Sequence, residues 1–504
     1  MKRLVLLDAR DSVAVAVDGL EAGESGQFAG AGQGAGIVAL EAIPRGHKIA
    51  LAAIQAGLAV TKYGLPIGIA KSPIAAGVWV HSHNLASGLQ GTRTYEPSDP
   101  FAWSGREAAL HLLAQAGAPS HFQGYRRQTG PAGIRNEVWV IPTVGCVNRT
   151  AEIVAEMGRK EFGLAAWAFG HPYGCSQLGG DLDVTRRILA RLAAHPNVGG
   201  AIVLSLGCEN NTLPEFKAAI GNFDASRIRF IPLQEAEDEL ESAREALAAL
   251  AQLLDAQERV QLPLSELTLG LKCGGSDSFS GITANPLVGR VCELLVAAGG
   301  SALMTEVPEM FGAETVLMAR ASNREVFDGE VRMVNAFKDY FILHGQEIYE
   351  NPSPGNREGG ITTLEEKSLG CIRKAGTVPV MDVIPYAERQ RSKGLTLISG
   401  PGNDLISSTA LTAAGAQMIL FTTGRGTPFG APAPTFKIAS NTDLATRKPR
   451  WIDFDAGRIL SGVSFDELAI ELFRELIAVA EGKPTKAELG GYREIAIFKD
   501  GVTL

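Results

Sequence analysis

The 504-residue sequence predicts an α/β protein in which a small β-rich N-terminal domain precedes two doubly wound α/β domains. Three observations carry this. Residues 1–88 are short alternating apolar runs broken by Gly and Pro. From Asn136 onward, continuous apolar runs alternate with Gly-rich turns and helical patterns. Nearly every unusual polar cluster follows directly on one of those runs. Unbroken apolar strands set between helices are buried on both faces, which is the pattern of parallel sheet.

In chain order, the N-terminal runs are Val13 to Val17, Gly36 to Leu40, Lys48 to Ala50, Leu58 to Tyr63 and Pro66 to Ala70. This module closes on Val78-Trp-Val-His-Ser-His-Asn84. A strand continued through that segment would set His81 and His83 on one face, where two imidazoles can reach one metal ion. Residues 89–130 are polar and marked by Pro and Gly, and read as a linker with one helical piece near Arg106 to Ala116. A second domain is expected over 131–262, with strands at Val138 to Pro142, Leu164 to Phe169, Ala201 to Leu206 and Ile228 to Ile231. The third, over 263–504, opens with an apolar run into Gly270 to Pro286, GLKCGGSDSFSGITANP. Its further strands are Ala302 to Thr305, Val378 to Val383, Leu395 to Ser399 and Gln417 to Phe421, and a helix over Phe465 to Ala480 closes the chain. Both domains read as Rossmann-like in the broad sense of strand, turn and helix repeated around one sheet.

The charge balance excludes several partners. A net charge of −8 leaves no basic field for nucleic acid or an anionic membrane surface. No apolar run approaches the roughly 18–20 residues that span a bilayer. The opening stretch, MKRLVLLDARDSVAVAV, is cut by Asp8, Arg10 and Asp11 and shows no cleavage site, so the cytoplasm is the expected compartment. The six cysteines contain no CxxC, which points away from a zinc ribbon or a disulfide framework.

The chemistry is expected at the carboxyl edge of the strands, where turn amides and helix N-termini converge. The stretch Gly270 to Pro286 gathers Lys272, Cys273, Ser276, Asp277, Ser278, Ser280, Thr283 and Asn285 among four glycines. Lys272 there can pair with a substrate carboxylate, or act as a base if burial lowers its pKa. Arg425, between glycines in TTGRGTP, can turn inward to a carboxylate. Glu209, Asp277, Glu306 and Glu309 are the candidate carboxylates. Cys146, Cys175, Cys208 and Cys273 all sit in such loops and, with His171, His81 or His83, could converge on Fe(II), Mn(II) or Zn(II). The short cysteine spacing usual for an iron–sulfur cluster is absent. No Walker motif, dinucleotide fingerprint or G-x-S-x-G elbow is present.

Taken together, HSHN, TVGCVN, HPYGCSQLGGD, SLGCENN, GLKCGGSDSFSGITANP, TEVPEMFGAE, ENPSPGN with GGITTLEEKSLG, and FTTGRGTPFG resemble the altronate/galactarate dehydratase family. The likeness runs over essentially the whole chain, and the N-terminal module is similar to that family's SAF domain. Pro172 departs from it, where a small polar residue is expected. The resemblance implies a hydro-lyase that dehydrates D-altronate to 2-dehydro-3-deoxy-D-gluconate in hexuronate breakdown, with galactarate as the alternative substrate. It also implies a divalent metal, Fe(II) foremost and Mn(II) or Zn(II) after it. Carried onto these residues, His81, His83 and Cys175 would hold the metal. His171, Lys272 and Asp277 would serve as acid, base or orienting groups. Ser276, Asn285, Thr423 and Arg425 would bind hydroxyls and carboxylate. A homo-oligomer is compatible with this reading. The rivals are a nucleotide-binding oxidoreductase and a non-catalytic sugar-acid binder.

Overall fold

A computed structural model describes residues 2–28, 36–97 and 99–504; positions 29–35 of the expected first domain and Ser98 of the expected linker lie outside it. The N-terminal module forms a six-stranded and a three-stranded sheet, as its alternating runs foretell. The strand expected through His83 is shorter, covering Trp79–Val80 alone. Asn84 is the reason. Its Oδ1 accepts from the His81 N–H at 2.9 Å and its Nδ2 donates to the Trp79 carbonyl at 2.8 Å, which folds the backbone into a turn. His81 and His83 therefore share no strand face.

Residues 89–130 are packed rather than free. The helix Arg106–Gln115 buries Ala109 and Leu113 in the core of the third domain. His121–Gly124 then pairs antiparallel with Val260–Pro263.

The second domain holds a parallel sheet of β1 (Glu137–Pro142), β2 (Ala166–Ala168), β3 (Val198–Ser205) and β4 (Ile228–Pro232), in the order β2-β1-β3-β4. Its helices are α1 (Asn148–Phe162), α2 (Gly179–Ala193), α3 (Leu213–Ile220) and α4 (Glu239–Asp255). Alternation along β1 explains the two layers. Trp139 and Ile141 point into the core shared with α2 and α3, while Val138 and Val140 face α1 and α4. The order is the 2-1-3-4 variant of doubly wound sheets, not the 3-2-1-4 dinucleotide-binding variant.

The third domain is built on seven parallel strands: β5 (Thr268–Cys273), β6 (Ser301–Met304), β7 (Val380–Ile384), β8 (Gly394–Ile398), β9 (Met418–Thr423), β10 (Thr435–Ala439) and β11 (Phe454–Asp455). Their order is β7-β8-β6-β5-β9-β10-β11. One face packs Leu269 and Leu271 against α5 (Ala284–Ala297), and α9 (Phe465–Ala480) lies in the same core. The other packs Ile419 and Phe421 against α8 (Asp404–Ala413). From β5 the chain leaves toward β6 on one side and later returns beside it as β9. That reversal opens a crevice at the carboxyl end of β5.

Two short helices, α6 (Pro354–Glu358) and α7 (Leu364–Cys371), cover the crevice, and the N-terminal module packs on them. The approach is close. A Cβ on Gly281 would lie 2.3 Å from the Tyr63 hydroxyl, so only glycine lets that ring rest on the loop after β5.

Candidate active site

Lys272 and Cys273 end β5, and Glu306, Glu309 and Asp404 lie on the segments that follow β6 and β8 around the crevice. Burial forces these groups to satisfy one another, because an unpaired buried charge is costly. Lys272, fully buried at the end of β5, donates to Glu306 Oε1, to the Cys273 carbonyl at 2.6 Å and to the Gly402 carbonyl at 3.2 Å. Asp404, at the start of α8, stands 2.9 Å from the same ammonium. Lys374 donates to Glu306 Oε2 at 2.7 Å and to the sulfurs of Cys273 and Cys371 at 2.9 and 3.0 Å. Lys367 reaches Glu309 Oε1 at 2.9 Å. The two sulfurs are 3.2 Å apart, and Cys371 lies 3.3 Å from Glu309 Oε2.

Local backbone places these groups. Glu306 follows β6 with a φ of 74°, a left-handed conformation that costs a residue with a Cβ about 1–3 kcal/mol. This bend aims its carboxylate back between the two lysines. Helix α7 begins at Thr363, whose hydroxyl accepts from the Glu366 N–H, and presents Lys367 and Cys371 one turn apart; Lys374 follows on the next turn.

The electrostatics favour charged groups. Burial opposes the charge on Lys272, but Glu306 and Asp404 outweigh it and raise its pKa, so it stays an ammonium. Burial likewise opposes the carboxylate of Glu309, yet Lys367, Lys272 and Lys374 hold it down to about 2. The hydrogen bond between the two sulfurs pushes the pKa of Cys273 down and that of Cys371 up.

Cys273, Glu306, Glu309 and Cys371 are all buried, with one ligand atom from each within 4.8 Å of the others, and form a group that could hold a metal ion. Two thiols and two carboxylates suit a borderline divalent ion. Lys374 already contacts three of these donors, so a cation is what this centre accommodates; a metal there would displace that ammonium.

A second buried charge group ties in the N-terminal module. Lys48 and Lys62 donate to Glu366 at 2.8 and 2.7 Å, and Lys48 also donates to the Gly360 carbonyl at 2.9 Å. Burial opposes the Glu366 carboxylate, but the two ammonium groups hold it at about 2. The cavity between Lys62, Ser276, Asp277, Glu366 and Cys371 measures about 10 Å³, room for about one water.

Comparison with known proteins matches this architecture domain by domain. Residues 2–88 match the altronate/galactarate dehydratase SAF domain, 124–256 the second domain of D-galactarate dehydratase/altronate hydrolase, and 264–503 the D-galactarate/altronate dehydratase C-terminal domain. An altronate dehydratase of Bacillus subtilis (strain 168) is 46% identical over the full length of both chains. The chain belongs to the altronate/galactarate dehydratase family. The altronate dehydratase of Escherichia coli (strain K12) is 48% identical over 92% of each chain. The galactarate dehydratase (L-threo-forming) of the same organism is 30% identical over 97% of this chain and 95% of its own.

Within this family member, the residues singled out in the sequence fall into two places. Lys272, Ser276, Asp277, Asn285, Thr423 and Arg425 come together around the crevice. Asp277 accepts from the Ser280 N–H and hydroxyl, the Ser440 hydroxyl and Asn441 Nδ2, and so pins the loop after β5. Asn285 joins the Gly370 carbonyl to the Thr422 hydroxyl. Thr423 accepts from the Gly426 N–H. Ser276 is buried, and its carbonyl accepts from Asn356 Nδ2. Arg425 remains at the surface, paired with Glu358.

The expected histidine–cysteine ligand set is not assembled. His81 spends Nε2 on the Arg357 carbonyl, and His83 lies against Trp79. Cys175 is exposed on the second domain, as are Cys146 and Cys208. His171 spends Nε2 on the Pro142 carbonyl and accepts from the Tyr173 N–H at Nδ1, and burial lowers its pKa. Cys273 instead meets Cys371, which the sequence reading passed over together with Lys367 and Lys374. Their spacing of four and three residues in LEEKSLGCIRKAG was the available signal, since it sets all three on one helical face.

Proposed function

We propose that this protein dehydrates D-altronate to 2-dehydro-3-deoxy-D-gluconate. The observation that carries the substrate is the whole-chain identity of 46–48% to two altronate dehydratases, against 30% to a galactarate dehydratase. The geometry suits the chemistry. A proton on C2, beside a carboxylate, leaves only if the enediolate charge is held by fixed cations. Lys272 is such a cation, and neighbouring carboxylates keep it charged. Lys272 therefore acts as carboxylate partner and charge stabiliser, not as the proton acceptor.

Glu306 is the group placed to take the C2 proton, and Lys367 is placed to give one to the departing C3 hydroxyl. Ser276 lines the adjoining cavity and supplies a hydroxyl for the polyol chain. Asp277, Asn285 and Thr423 are positioning residues. A divalent metal, Fe(II) first and Mn(II) or Zn(II) after it, would be held by Cys273, Cys371 and Glu309 and would supply Lewis acidity to the enediolate. A sugar acid does not fit a 10 Å³ cavity, so substrate entry requires α6, α7 or the N-terminal module to move. Two neighbouring thiols suit a reducing compartment, and the cytoplasm is our assignment. No helix among the described residues is long and apolar enough to cross a membrane.

The test is turnover in D2O followed by NMR. Elimination followed by ketonisation gives a 2-keto-3-deoxy acid with one deuterium at C3. Failure to form any keto acid from D-altronate would defeat the proposal.

A further inference from the structure

A cavity of about 180 Å³ lies where the second and third domains meet. It is walled by Val198 at the start of β3 and Thr268 at the start of β5, so it opens at the amino edge of both sheets. The reaction site stands at the other edge. Thr268 and Cys273 stand at opposite ends of β5, five residue steps apart, roughly 17 Å at the rise of a strand.

Three arginines line this cavity, and all their hydrogen-bond acceptors are neutral. Arg127 donates to the carbonyls of Pro196 and Arg135 and to the side-chain oxygens of Asn136 and Gln257. Arg227 donates to the carbonyls of Gly199 and Val198, and Arg389 to that of Ala194. No carboxylate among the described residues forms a salt bridge with any of the three. Asp224 also lines the cavity, but its Oδ1 is spent on the N–H and hydroxyl of Ser226. His195 adds no charge, since Nε2 bonds the Ala416 carbonyl and Nδ1 accepts from the Asn197 N–H. Three guanidinium groups against one carboxylate leave two positive charges facing an enclosed space. Burial lowers the pKa of all three arginines, and Arg227 further lowers that of Arg127.

Desolvated cations that crowd one another without counter-charge are costly unless an anion joins them, and the planar guanidinium fork fits oxyanions best. We propose that this cavity binds a small doubly charged oxyanion, a phosphate monoester or a dicarboxylate, at a site separate from the dehydration centre. Its walls come from both domains, with Ala194 and Asn222 on one side and Gln390 and Gly415 on the other. A bound anion fastens that junction and stabilises the folded chain by mass action.

The experiment is calorimetry of the full-length protein in low-salt chloride buffer with inorganic phosphate, glucose 6-phosphate and malonate in turn. Saturable binding of at least one is expected. Binding of the two phosphates alone identifies a phosphate site, and binding of malonate alone a dicarboxylate site. Arg227→Gln should weaken affinity by about tenfold, the worth of one charge-assisted hydrogen bond. Asp224→Asn keeps the cap on Ser226, removes the one opposing charge and should tighten binding. Binding of none of the three anions overturns the proposal, as does an affinity that neither substitution changes. Should Arg227→Gln fail to fold, an unchanged affinity in Asp224→Asn is enough to refute it.

Discussion

Replacing Lys272 with Met removes one positive charge from the centre of the site while nearly preserving volume. In the native chain that ammonium touches Glu306, Asp404 and two carbonyls, and its side chain is fully buried. Asp404 is about one-third exposed and regains water when its partner is lost. Glu306 cannot, being 1% exposed, and it keeps only Lys374. Breaking one buried pair while leaving the other charge behind costs about 3–5 kcal/mol. Here Lys374 retains part of the compensation, so the lower end, about 3 kcal/mol, is expected. A domain with the usual ~5–15 kcal/mol survives that loss and folds, with a lowered Tm. Catalysis should suffer more. Removing a fixed donor that faces developing charge costs about 10²–10³ in kcat. Circular dichroism and thermal melting establish the fold, and keto-acid release from altronate gives the rate. A folded Lys272→Met variant with kcat within threefold of the parent would refute the charge-stabilising role.

Glu366→Gln leaves Lys48 and Lys62 buried without a counter-charge, so thermal melting should show a loss of about 3–5 kcal/mol. The same carboxylate predicts a pH dependence. Its pKa falls from 4.5 to about 2 on folding, so its contribution is present above pH 4.5 and is lost as the pH falls toward 2; a Tm–pH profile in Glu366→Gln should be flatter across that window. Cys371→Ala removes one donor of the buried group and should lower bound Fe(II) per chain by elemental analysis; full metal content would place the metal elsewhere. In the native protein, a thiol reagent should modify Cys146, Cys175 and Cys208 rapidly, Cys273 and Cys371 slowly as the crevice opens, and Cys292 only on unfolding; six equally fast thiols would contradict the burial described.

The α/β architecture was legible because buried parallel strands such as VWVIP and AIVLSL leave continuous apolar runs, which no helix or exposed strand explains as well. The loop after β5 was legible too, since Gly and small polar residues at a strand end mark a backbone that closes around something. What escaped depended on long-range partners. Nothing local says that Cys273 meets Cys371, 98 positions away, or that Lys48 crosses from the first domain to Glu366. The His81–His83 pair failed for a local reason: Asn84 caps a turn where alternation suggested a strand. A period-two pattern describes residues only while the strand persists.

Metal-dependent dehydration of altronate is measured as keto-acid formation from D-altronate and galactarate, using chelated enzyme with Fe(II), Mn(II) or Zn(II) restored under reducing conditions. Turnover of altronate well above galactarate, recovered on adding back metal, is expected. Preference for galactarate, or absence of keto acid from either substrate with every metal, would contradict the proposed function.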